Sequence, residues 1–190
     1  MSTQRKDVRM STTITKPETG TWTFDPDHTS IGFVVKHLMA AKVRGAFKSF
    51  DGMIEQGEDA ASTTATVSID AASIDTGAAD RDNHLRSPDF FDVENHPSIV
   101  FETTRITGDG VDYTVEGDLT IKGVTRPVEI DMTYGGLMAD PWGNEKAIFS
   151  GSTTIDREDF GLTWNQALET GGWLVGKKVD IELEVQAGRA

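Results

Sequence analysis

RDNHLRSPDFFDVENHPSIVF, residues 81–101, is the stretch in the middle of the chain where period-two alternation stops and helix signals take over. Asp80 is placed to serve as an N-cap, Asp82 adds negative charge to the first turn and Arg86 positive charge to the last, so the charges complement the helix dipole. A helix of about two turns is expected here. Ser87 followed by Pro88 reads as a second start, an N-cap with proline at the first helical position, opening a single turn that carries Phe90 and Phe91. Asn95, His96 and Pro97 end it. Leu85, Phe90, Phe91 and Val93 give the insert an apolar side, which is expected to pack as a plug or lid against the flanking strands.

Outward from this stretch the chain is a series of short alternating segments separated by turn residues, the pattern of an antiparallel sheet protein. On the N-terminal side, Ile31, Phe33 and Val35 share one parity with Thr29 and His37, so one face of that strand is buried. Val43, Gly45 and Phe47 share a face, after which the parity flips to Phe50, Gly52 and Ile54. A bulge near Lys48 or Ser49 would keep both sets inside. Ala65, Val67 and Ile69 make the next strand. On the C-terminal side, Ile99 and Phe101 begin a strand that reverses at GDG, followed by the alternating series Tyr113 to Ile121 and Val124 to Tyr134. Pro127 cannot donate to a ladder and belongs at a strand end, an edge or a bulge. GGLMADPWGNE reads as a long loop, Ala147 to Ile155 as a strand, DREDFGLTWN as a partly helical connection, and Val175 to Val185 as the last strand.

About eight strands joined by short connections give an all-β fold, with a meandering, up-and-down closed barrel as the simplest architecture. Gly32, Gly45, Gly117 and Gly151 sit mid-strand, where they weaken a sheet unless it coils sharply or an inner side chain or ligand approaches the backbone. An eight-stranded barrel can be filled by its own side chains or can hold one small ligand, and the pattern fits both.

At 190 residues, 37% hydrophobic and 26% charged, the chain is long enough for one domain with a sizeable core. Residues 1–18 are polar and rich in Ser and Thr and read as a disordered tail, leaving residues 19–190 as the barrel domain. A formal net charge of -13 leaves no basic stripe for a polyanion, which argues against nucleic acid. The absence of cysteine removes disulfides, zinc thiolate sites, thiol nucleophiles and a lipobox cysteine. No apolar h-region of signal-peptide length and no run of transmembrane length is present, so a cytoplasmic address without stable membrane insertion is the expectation.

Several phrases together resemble the YceI family, the lipocalin-like, polyisoprenoid-binding proteins of bacteria: DPDHTSIGFVVKH at 25–37, VRGAFKSFDGMI at 43–54, the 81–101 stretch, GDLTIKGVTRPV at 117–128, DPWG at 140–143 and DREDFG at 156–161. The resemblance spans roughly residues 21–186. It implies an extended eight-stranded antiparallel barrel with a helical insert, whose apolar tunnel takes a long isoprenoid, isoprenoid quinone or related acyl chain for carriage, storage or sequestration. The missing signal peptide departs from the exported members. The residues assigned to the lining are Ile31, Phe33, Val35, Phe47, Phe101 and Phe149, joined by Leu85 and Phe90 from the insert and Trp164 from the late loop. In any barrel the same residues would also serve as core.

Four histidines, His28, His37, His84 and His96, have no spacing that resembles a metal-ligand pattern, and neither a metal nor a redox cofactor is expected. His37 shares the inward parity at a strand end, where it could meet a ligand head group or be a satisfied structural residue. Arg81, Asp82 and Arg86 could clamp a head group, but the reading preferred here is a helix tied to the barrel rim by ion pairs. Asp156, Arg157, Glu158 and Asp159 read as a solvated turn. With no nucleophile elbow, phosphate loop or cysteine, no enzyme is expected. The alternatives are an enzyme using His37 and Asp82 on such a lipid, and an acidic protein-interaction module with a filled barrel. A homodimer is a further expectation, from the resemblance and from the edge implied by Pro127.

Overall fold

The last strand shows how alternation becomes a wall. In a computed structural model describing residues 14–190, β11 (Val175–Arg189) turns Val179, Ile181, Leu183 and Val185 inward and leaves Lys178, Asp180, Glu182 and Glu184 exposed. Apolar inside and charged outside is the inverse of the pattern of a membrane-spanning barrel. No helix among the described residues is long and apolar enough to cross a membrane.

Before β11 come β1 (Gly20–Phe24), β2 (Ser30–His37), β3 (Ala41–Phe47), β4 (Phe50–Gln56), β5 (Thr64–Asp70), β6 (Ile74–Asp75), the helix α1 (Ala79–Arg86), β7 (Ser98–Asp109), β8 (Asp112–Ile121), β9 (Val124–Ala139) and β10 (Glu145–Asp156). All ladders are antiparallel, and the sheet closes on itself because β11 pairs with β10 on one side and with β2 and β1 in succession on the other. β1 and β2 are therefore two halves of one long strand, interrupted by the turn at 25–29. β3 with β4, and β5 with β6, are likewise broken strands. The segments thus make the eight staves of an up-and-down barrel.

The expected break at Lys48–Ser49 is present, and its reason is visible. Lys48 N–H donates to Ser73 O at 3.2 Å and Asp70 N–H to Ser49 O at 3.0 Å, so neighbouring staves kink together and both parity sets stay inside. Pro127 pairs with Asp118 on β8, while the β10 ladder reaches β9 only from Asp131 onward, so the proline sits on a stretch of free edge.

Four expectations are corrected. The N-cap of α1 is Ala78, not Asp80, and no side chain caps it. Ser87 does open the expected single turn, its carbonyl accepting from Phe90 N–H at 3.0 Å, but it is not the N-cap, because its hydroxyl donates back to His84 O at 2.7 Å. The segment 135–145 is not a long loop: β9 runs on to Ala139 through a bulge at Gly135–Gly136, where Gly136 takes φ +108, and the Asp140 carboxylate closes the hairpin by accepting from the N–H groups of Trp142 and Asn144. Of the tail, residues 14–18 lie against the barrel. Tyr134 Oη donates to Thr15 O at 2.6 Å and Trp22 Nε1 to Glu18 O at 2.9 Å, contacts a loose segment would not make. Residues 1–13 lie outside the described residues.

The core has two centres. Trp22, Tyr134, Ala147 and Ala187 pack near the end that receives residues 14–18, and Ile31, Ile69, Phe90, Ile99, Leu119 and Phe160 pack towards the insert.

Candidate ligand cavity

The inner faces do not fill the barrel. Large side chains lie flat across a glycine on a neighbouring strand, which leaves the axis open. A Cβ on Gly45 would stand 2.4 Å from Cζ of Phe33, its register partner, and one on Gly117 would stand 2.4 Å from Cζ of Phe101. Gly52 and Gly151 receive Phe24 and Met132 in the same way. Gly32 has nothing closer than 3.6 Å, so close approach does not explain it.

The result is an apolar cavity of about 330 Å³. That lies at the lower end of the range of ligand sites, roughly 300–1,000 Å³. At the tail end its rim carries Lys16, Gln56, Glu58, Asp59 and Thr63, with Glu58 and Asp59 exposed, and this is the mouth. At the insert end it is closed by Phe90 and Leu85 from the insert and by Phe160 and Leu162 from the segment after β10.

Ile31, Phe33, Val35, Phe47, Leu85, Phe90, Phe101 and Phe149 all line this space. His37 and Trp164 do not. His37 sits at the end of β2 opposite Ala41 and Val175, and it is Val175, not His37, that lines the cavity there. Trp164 lies behind Phe90, with ring centroids 5.4 Å apart, and holds His84 edge-on at 4.6 Å. The Phe33 and Phe47 rings, 5.9 Å apart, continue to Phe91 at the same separation, so an aromatic row joins wall to insert.

The insert is tied down by hydrogen bonds and, among the described residues, not by the expected ion pairs. Asp82, 7% exposed, accepts from the N–H and the hydroxyl of Thr76 at 2.9 and 2.6 Å, while Arg81 donates to the Oγ1 and O of the same residue. Arg86 donates to Ala72 O and Ile74 O at 2.7 and 2.8 Å, filling one carbonyl in the turn before β6 and one on the edge of β6, which pairs only with β3. All three side chains are thus engaged with backbone or side-chain groups of the protein itself. No hydrogen bond or ion pair joins His37 to Asp82 among the described residues, and Asp82 Oδ1 accepts from Thr76 instead. His28 and His84 face Asp25 and Asp89, and no cluster of three potential metal ligands occurs among the described residues.

Six titrating groups among the described residues are displaced, and Asp25, Tyr134 and Arg157 are the ones that bear on how the barrel is closed. The hydrogen bond from Lys146 Nζ, 2.9 Å away, holds Asp25 at about 2 and fixes the turn between β1 and β2 to β10. Burial pushes the Tyr134 phenol up to about 12. Burial also lowers the Arg157 guanidinium, and here the sequence reading missed a residue: Arg157 is 5% exposed, not part of a solvated turn. Its neighbours do behave as surface charge, Glu158 pairing with Lys177 at 2.7 Å and Asp156 with Lys178 at 3.5 Å. The available signal was the apolar Phe160–Leu162 that follows directly. Phe24, Met132 and Tyr134 in the wall were also not assigned, though each sits on an alternating strand.

A closed antiparallel barrel with an apolar interior, a polar mouth and a helical insert over the far end defines a lipocalin-like class of barrel. The YceI-like domain family matches residues 22–187, and the chain belongs to that family. A UPF0312 protein of Staphylococcus epidermidis is 42% identical over 86% of this chain and 94% of its own length, and one of Staphylococcus aureus is 41% identical over 87% and 95%. Among solved structures, BcnA of Burkholderia cenocepacia superposes with a TM-score of 0.75 at 27% identity, covering 86% of this chain and 98% of that one. The YceI protein of Campylobacter jejuni gives 0.70 at 30% identity, covering 82% and 90%. A polyisoprenoid binding domain from Saccharophagus degradans shares the fold, with a TM-score of 0.67 at 14% identity over 89% and 98%.

Proposed function

We propose that this protein binds one long apolar chain, a polyisoprenoid, an isoprenoid quinone tail or a fatty-acid derivative, inside the barrel, and that it carries, stores or sequesters that chain without a metal or redox cofactor of its own. The observation that supports this most is the open axis, kept clear by rings laid over glycines. Each buried methylene contributes about 0.8 kcal/mol, so about ten of them correspond to roughly micromolar affinity without any polar contact. The name of the Saccharophagus neighbour, a polyisoprenoid binding domain, points the same way. A filled interaction module fits a cavity of this size less well. Pairing of two copies along the edge at 124–128, where the β10 ladder does not reach β9, is compatible with the reading and is checked by sedimentation. The deciding experiment is organic extraction of purified protein followed by mass spectrometry. An isoprenoid or acyl chain in stoichiometric amount is expected; an empty barrel with no affinity for added chains of either kind would overturn the proposal.

A further inference from the structure

The hairpin between β2 and β3 turns on two residues that its backbone does not favour. Ala40 N–H donates to His37 O at 3.3 Å, and the residues inside this turn, Leu38 and Met39, take φ 51 and 66. Positive φ at both central positions favours Asn-Gly and is uncommon for large side chains. Burial does not explain the choice either, because Leu38 is 51% exposed and Met39 62%. Trp173, 53% exposed, belongs to a second small hairpin at 166–174, closed by Leu174 N–H donating to Gln166 O at 2.9 Å. The two tips form one knob: Leu38 N–H donates to Leu174 O at 2.9 Å, and a Cβ on Gly172 would stand 2.9 Å from Met39 Sδ.

Charge around this knob departs from the rest of the molecule. Lys36 and Lys42 are exposed register partners across β2 and β3, and neither has a carboxylate at ion-pair distance among the described residues. Like charges directly opposite on a sheet are destabilising. In residues 36–42 and 166–174 the only carboxylate is Glu169, in a chain of net charge -13. The acidic rim at Glu58 and Asp59 lies at the other end of the barrel. β11 runs between the two ends over 15 residues. At about 3.3 Å per residue that is roughly 50 Å of strand, several times the roughly 8 Å over which salt screens charge.

Apolar side chains held in water on a tip, an exposed tryptophan and lysines without partners are the chemistry of a lipid–water interface with anionic head groups. Lysine is depleted in protein–protein interfaces, whereas each lysine near an anionic bilayer adds attraction. We propose that Leu38, Met39 and Trp173 enter the head-group layer of an anionic bilayer while Lys36 and Lys42 meet lipid phosphates, so that the protein docks reversibly by its closed end with the mouth facing away. This is peripheral contact and not insertion of the barrel, and it stands independently of what the cavity carries.

The test is flotation of the full chain with vesicles of phosphatidylcholine alone and of phosphatidylcholine mixed with phosphatidylglycerol. The mixed vesicles should bind at least about fivefold more protein, and the difference should shrink as salt is raised. Lys36→Gln combined with Lys42→Gln should weaken binding about tenfold. Leu38→Asn combined with Met39→Gly should abolish it. Asn-Gly suits the turn, so this variant should melt no lower than the parent, which separates lost docking from lost folding. Tryptophan emission should shift to the blue on mixed vesicles, and Trp173→Phe should remove that shift. A shift that survives Trp173→Phe and disappears in Trp142→Phe would put the opposite end on the membrane and overturn the proposal, as would equal binding to both vesicles or binding to neither. Self-association in sedimentation that Leu38→Asn with Met39→Gly abolishes, without vesicle binding, would assign the knob to a second copy of the chain and equally overturn it.

Discussion

Phe33 and Gly45 make one unit. They are register partners on β2 and β3, and the ring occupies the place where a side chain at 45 would begin, with Thr76 Cγ2 at 2.9 Å from the same point. Phe33 is half-buried and borders open space, so it lacks packing neighbours on one side. A fully packed phenylalanine costs about 3–5 kcal/mol on truncation, and Phe33→Ala should fall below that range. Gly45→Ala alone should cost about 1–3 kcal/mol, because the new methyl displaces the ring into the cavity. The two changes should not add: with the ring gone, the methyl at 45 has room, and the double variant should be more stable than the sum predicts by about 0.5 kcal/mol or more. Urea denaturation of the parent and three variants closes the cycle. Strict additivity would mean that the ring does not rest on the glycine.

At the scale of elements, the insert depends on a few side-chain bonds more than on its own helix. Residues 79–86 make about two turns, too short to be stable alone. Arg86 supplies donors to the Ala72 carbonyl in the turn before β6 and to the Ile74 carbonyl on its edge, and the planar fork reaches both. Arg86→Lys should therefore free at least one carbonyl and cost about 1–2 kcal/mol, and Asp82→Ala should cost more, because Thr76 then loses two bonds to a charged acceptor. Hydrogen exchange should accelerate across residues 79–97 well before the wall strands, and uniform protection would contradict this division. The division also marks what the sequence made legible. Alternation located the staves and the parity flip located the kink, since both depend on burial of one face. The insert was readable because its apolar residues and charges break that alternation. The bonds that hold it were not, because Ala72 and Ile74 accept through backbone carbonyls that carry no residue signature, and the Thr76 hydroxyl sits in an ordinary turn sequence. The same applies to Arg157, whose acidic neighbours disguised a buried residue as a surface run. His37 and Trp164 had the right parity or chemistry but do not line the cavity, a distinction set by where the barrel closes.

For the whole molecule, the chain before β1 decides how the mouth end is finished. Lys16 and Pro17 contribute to the cavity rim, Thr15 O accepts from Tyr134, and Glu18 O accepts from the indole of Trp22, which is 1% exposed. Removing residues 1–18 would strand the buried Trp22 donor and return the Tyr134 hydroxyl to water. Losing such bonds costs about 1–3 kcal/mol each when a partner is left unsatisfied, and for a chain of this size each 1 kcal/mol is worth about 2–4 °C in melting temperature. A fall of several degrees is the expected outcome. Tyr134 provides a second, local readout. Burial holds its phenol near 12 in the folded protein against an ordinary 10.0, so the folded state keeps the proton that the unfolded chain gives up. The stability this contributes is fully present below pH 10 and is lost as pH rises from about 10 towards 12. In the truncated protein the phenol should titrate closer to 10, and the alkaline loss of stability should shrink. Tyrosinate absorbance followed against pH, beside melting curves at pH 8 and above, separates the cases: an unchanged melting temperature together with an unshifted phenol would mean that residues 14–18 do not seal the mouth end.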